Sequence, residues 1–105
     1  MVYNTIEKAR LILRDKLIDN LGNIQERVVW AVPKSAKHPD GVRYRLAYIG
    51  KKKQSLVIYD NHHPKGHHKH FGRRQIPYDF ITVGRLLEDF KKDIQEAQKH
   101  EDIRD

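Results

Sequence analysis

In Val42-Arg43-Tyr44-Arg45-Leu46, apolar and aromatic residues alternate with arginines, the period of two expected of a strand with one face buried. Val28-Val29-Trp30-Ala31-Val32 and Ser55-Leu56-Val57-Ile58-Tyr59 are short runs rich in β-branched and aromatic residues, and they predict two more strands. Between Ile6 and Ile18 two readings compete. Ile6, Ala9, Leu13 and Leu17 fit a helical stripe, while Leu11, Leu13 and Leu17 fit one face of a strand flawed by Asp15. The turn signal Asp19-Asn20-Leu21-Gly22-Asn23 comes next, followed at once by a strand, which favours a hairpin over residues 10–32.

From Val83 the period changes. Val83, Leu86, Leu87, Phe90 and Ile94 lie on one helical stripe, and Thr82 stands where an N-cap belongs. Loops are expected at 33–41, 50–54 and 62–72. The expected fold is α+β: a small antiparallel β-sheet of about four strands, with a C-terminal helix packed on one face and the other left free for a partner. No repeat or linker divides the chain, so residues 1–105 read as a single domain with the first few residues and 99–105 frayed.

Composition narrows the function classes. The chain has no cysteine, which excludes disulfides, thiolate metal sites and a cysteine nucleophile. No stretch approaches the roughly eighteen apolar residues of a membrane span, and the N-terminus lacks an apolar signal core. The expected location is cytoplasmic, with no membrane partner. The net charge of +7 is unevenly spread. Arg43, Arg45, Lys51, Lys52, Lys53, Lys65, Lys69, Arg73 and Arg74 face only Asp60 within 42–74, whereas 75–105 is net acidic. So dense a basic field suits a polyanion, nucleic acid above all.

The same third contains Asp60-Asn61-His62-His63-Pro64-Lys65-Gly66-His67-His68-Lys69-His70, with five of the seven histidines. Imidazole both donates and accepts protons near neutrality, and lysine supplies charge for a phosphate or developing oxyanion. In an extended segment His68 and His70 share a side, with backbones about 6–7 Å apart. There they would serve as general base and acid in 2′-hydroxyl attack on RNA. Lys65 would stabilise the oxyanion, beside a Gly66 amide free to meet a phosphate, and Asp60 would orient an imidazole or cap its turn. Arg43, Arg45, Lys51, Lys52, Lys53, Lys69, Arg73 and Arg74 would hold nucleic acid. Five clustered histidines also suit zinc, nickel or copper. Against that stand the lack of a helical H-x3-H pair and two cation-repelling lysines, so no metal or cofactor is assigned. Tyr44, Tyr48 and Tyr59 are read as core residues or base-stacking platforms, and Trp30 as core.

Val29-Trp30-x-Val32-Pro33, Tyr44-x-Leu46-x-Tyr48 and Tyr59-Asp60-Asn61-x3-Lys65-Gly66-x-His68-x-His70, with Pro77-Tyr78-x-Phe80 and Leu86-Leu87-x-Asp89-Phe90, resemble the TumE family of toxin–antitoxin proteins over about residues 10–95. The resemblance implies a toxin that acts on RNA or the translation machinery and has a helix-turn-helix antitoxin as partner. It also implies that the first segment is a strand. His62, His63, His67 and the lysines at 51–53 are additions to that pattern. Two functions stay open: a metal-independent endoribonuclease, or a non-catalytic nucleic-acid- or ribosome-binding module of a two-gene operon. A homo-oligomer is compatible with either.

Overall fold

The computed structural model describes residues 8–103, with side chains as far as His100. Six strands, β1 (Arg10–Ile18), β2 (Ile24–Ala31), β3 (Val42–Ile49), β4 (Ser55–Asp60), β5 (His68–Phe71) and β6 (Arg74–Pro77), precede one helix, α1 (Val83–Ile103). The strands form a single antiparallel meander in chain order. The sheet thus has six strands where the sequence suggested about four. The two extra strands come from the stretch expected to be a long loop and the residues just after it. His68-Lys69-His70-Phe71 is polar in two places and only four residues long, too short for periodicity to announce it.

The first segment is a strand, as the hairpin reading required. Its turn is fixed by Asp19, whose Oδ1 accepts the backbone N–H groups of Leu21 and Asn23 at 2.9 and 3.0 Å. The expected fraying of the first few residues and of 104–105 lies outside the described residues, while the helix continues to Ile103. It starts as predicted, the Thr82 hydroxyl accepting the Arg85 N–H at 3.1 Å.

Helix α1 covers one face of the sheet. Leu86, Phe90, Ile94 and Ala97 pack with Val29, Val42, Tyr44, Leu46, Tyr48, Val57 and Tyr59. Hydroxyls at the rim of this core reach carboxylates. Tyr59 donates to Asp93 at 2.5 Å, Tyr78 donates to Asp89 at 2.6 Å, and Tyr48 donates to Asp19, which Gln98 of the helix also reaches at 3.1 Å. Burial raises the tyrosine pKa values, Tyr48 to about 12.

Burial alone would raise Asp19 and Asp89 as well. Hydrogen bonds outweigh it, from Tyr48 and Gln98 to Asp19 and from Tyr78 and Arg85 to Asp89, and both end below the ordinary 3.8. A carboxylate lowered by folding stabilises above its unfolded pKa and loses that contribution as pH falls through the folded value. The melting temperature is therefore expected to drop once the pH passes below 3.8, and Asp19→Asn should shrink the drop. A melting temperature as high well below that value as at neutrality would contradict this anchoring of the helix.

Candidate functional site

Strand alternation sorts the polar residues of β3, β4 and β5. Tyr44, Leu46 and Tyr59 turn to the helix, so Arg43, Arg45 and Asp60 turn to the uncovered face. Register then builds a row on that face: Arg45 stands opposite Asp60, and Asp60 opposite His68. Trp30 of β2 stands opposite Arg43. Trp30, Arg43, Arg45, Asp60, Asn61 and His62 line a cleft of about 320 Å³.

Asn61 fixes the cleft wall. It is 4% exposed, accepts the Tyr44 backbone N–H at 3.0 Å and donates to the Val42 carbonyl at 2.8 Å. Its amide thus extends the β3–β4 pairing one residue beyond Asp60. Asp60 Oδ1 accepts the His62 N–H at 3.1 Å and lies 3.2 Å from His68 Nε2, so it both caps the turn and orients an imidazole.

His68 is enclosed. Its Nδ1 is 2.8 Å from the Gly66 carbonyl, which only accepts, so Nδ1 carries a hydrogen. Its Nε2 faces Asp60, and the side chain is only 8% exposed. Through Nδ1, His68 ties β5 to the loop, and its Nε2 edge lies against Asp60 of β4. Gly66 has φ +72°, a left-handed conformation that a β-carbon would strain. Its own amide donates to the His62 carbonyl at 3.2 Å, so the expected amide–phosphate contact is already taken by a turn.

His70 shares the face of His68, the rings 5.4 Å apart at 79°. It is partly buried and stands opposite Gln75 of β6. Exposed Lys65 brings its Nζ to 3.5 Å from Gln75 Oε1, so Gln75 neighbours both. The pair of groups best placed to meet a ligand is His70 and Lys65.

The remaining candidates are scattered. Lys69 lies on the helix side, 3.0 Å from Asp93 and 5.4 Å from the Tyr59 ring centre, away from the face where nucleic acid was expected. Lys51, Lys52 and Lys53 occupy the β3–β4 turn, and Arg73 and Arg74 the start of the β6 hairpin arm. Both groups sit at the opposite end of the sheet from Arg43, the lysine turn about 25 Å away at strand rise. His67 stacks on Phe80 at 4.8 Å, meets the Tyr44 hydroxyl at 2.9 Å and reaches Asp40 at 2.7 Å, which makes it a packing piece. Among the described residues, no three His, Asp or Glu side chains converge to hold a metal ion.

The aromatic residues exchange roles. Tyr44, Tyr48 and Tyr59 are 3%, 1% and 0% exposed and are closed to a base. Trp30, expected in the core, is partly exposed on the uncovered face, with the guanidinium carbons of Arg14 and Arg43 at 5.8 and 5.9 Å from its ring centre. The signal was present in the sequence. Val29 alternates with Trp30, so once Val29 is core, Trp30 points the other way. Arg14 lies outside the basic third and nothing local singled it out.

A protein-family model described as Toxin TumE matches residues 2–98. No curated protein and no solved structure matches the chain significantly.

Proposed function

Because the chain belongs to the TumE toxin family, we propose that it is the toxin of a toxin–antitoxin pair that binds RNA across the uncovered sheet face and cleaves it without a metal. The observation that carries this reading is the placement of His70 and Lys65 on the same helix-free face as Arg43, Arg45 and their cleft. His70 takes the proton of a 2′-hydroxyl as its oxygen attacks the neighbouring phosphorus. The bond from phosphorus to the 5′-oxygen breaks, and that oxygen takes a proton from the Lys65 ammonium or from water. Lys65 also lies against the negative charge that builds on the phosphoryl oxygens. Arg43 and Arg45 hold flanking phosphates, and the Asp60–His68 pair keeps β4 and β5 in place beneath them. A helix-turn-helix antitoxin is the proposed partner, and the cytoplasm the proposed setting.

A second reading, RNA or ribosome binding without cleavage, is favoured by one observation: the His68 ring is enclosed, with its Nδ1 given to the Gly66 carbonyl and its Nε2 edge against Asp60. It leaves His70 as the free imidazole of the intended pair.

Binding is tested with a short single-stranded RNA across a salt series. The logarithm of the affinity should fall linearly with the logarithm of salt concentration, by about 0.7 per neutralised phosphate. Arg43→Gln with Arg45→Gln should flatten that slope by one to two such contacts. A salt-independent affinity would remove nucleic acid from the proposal altogether.

A further inference from the structure

We propose that Trp30 is the stacking platform for a base of single-stranded RNA, with Arg14 and Arg43 as the movable arms that admit the base and then grip its phosphates. The proposal rests on RNA being the ligand of the uncovered face and adds which part of RNA is recognised, and by what. Trp30 has its neighbours Val28, Arg43 and Arg45 around the cleft of about 320 Å³, and among the described residues no element lies over that face. Its two guanidinium partners are both on exposed residues. They belong to different strands, β1 and β3, on either side of β2.

Magnitudes decide whether a base can enter. An exposed cation–π contact contributes about 0.5–1 kcal/mol, whereas a base stacked on an aromatic ring contributes about 1–3 kcal/mol. A base therefore displaces either arginine from the indole at a net gain. The displaced guanidinium stays within its side chain's reach, where the phosphates flanking that base must run, and can contact them bidentately. Asp60, with its carboxylate on the same wall, adds an acceptor at the cleft edge. Duplex RNA offers no splayed base to such a platform, so the site selects single strands.

The chain has one tryptophan beside five tyrosines, so fluorescence excited at the red edge, where tyrosine does not absorb, reports this ring alone. Titration with a short single-stranded RNA should quench it saturably. An abasic oligonucleotide of equal length and charge should bind in the same salt range yet leave the emission nearly unchanged. Trp30→Leu should weaken single-stranded RNA binding by about 5- to 100-fold, leave abasic binding and the salt slope alone, and melt near the wild-type temperature. Trp30→Phe, which keeps a ring if the leucine variant fails to fold, should recover most of the affinity.

RNA binding that is salt-dependent but neither quenches Trp30 nor weakens in Trp30→Leu would overturn the platform and leave the proposed function standing. Equal quenching by the abasic strand would overturn it too, since the ring would then sense only charge. No binding of RNA at all would overturn both.

Discussion

Replacing His70 with alanine is expected to lower RNA cleavage by about 10²–10⁴-fold, the usual contribution of a positioned general acid or base, and to relieve growth inhibition. The ring is partly buried and belongs to none of the core contacts, so the melting temperature should move little. Cleavage by the parent protein should survive EDTA, because the proposed proton transfers use His70, Lys65 and water and no metal ion. His68→Ala should separate from His70→Ala. It removes a buried ring that bonds the Gly66 carbonyl and packs against Asp60, and its first effect should be a lower melting temperature. If His70→Ala inhibits growth as strongly as the parent, with thermal stability unchanged, the acid–base mechanism is wrong and the binding reading takes its place.

Asn61→Ala is expected to be the most destabilising single change near the site. Its amide satisfies a backbone N–H and a backbone carbonyl at once, both of β3. Removal strands two buried polar groups, each costing about 1–3 kcal/mol. The sum, about 2–6 kcal/mol, should lower the melting temperature by roughly 10 °C or more in a domain this small. Thermal melts of Asn61→Ala and Asp60→Ala settle it. The neighbour should fall less, because the Asp60 side chain bonds at the rim of the cleft. Equal small losses for both would show that the Asn61 bridge holds nothing.

Much of this was legible in the chain and some was not, for reasons that lie in the residues. Strand β3 and the helix were readable because their apolar periods run long enough to exclude the alternative, and β4 because its short run is β-branched and aromatic. β1 was ambiguous because it is an edge strand with Leu11, Ile12, Leu17 and Ile18 all largely exposed. Tertiary burial never imposed a clean alternation there. The histidine run concealed a strand because its side chains are held by partners far away in sequence. Lys69 reaches Asp93 of the helix and His67 reaches Asp40 of the β2–β3 loop. Neither link has a local signature. Composition marked the middle third as basic correctly, yet it could not tell that Lys51–Lys53 and Arg43 would stand at opposite ends of the sheet. That separation is a matter of strand direction, not of content.

The placement of helix α1 has one more consequence, for how the molecule travels. The helix span 83–103 carries six acidic residues against four basic ones, and it lies behind the face that presents Arg14, Lys16, Arg43 and Arg45. The bare side of the sheet is therefore positive relative to the helix side, and the molecule is an electric dipole across its two layers. In the field of a polyanion such a body experiences a torque before any contact forms, and it turns its basic side forward during diffusion. Fewer encounters are wasted on the wrong face, most of all at low ionic strength, where the field reaches furthest.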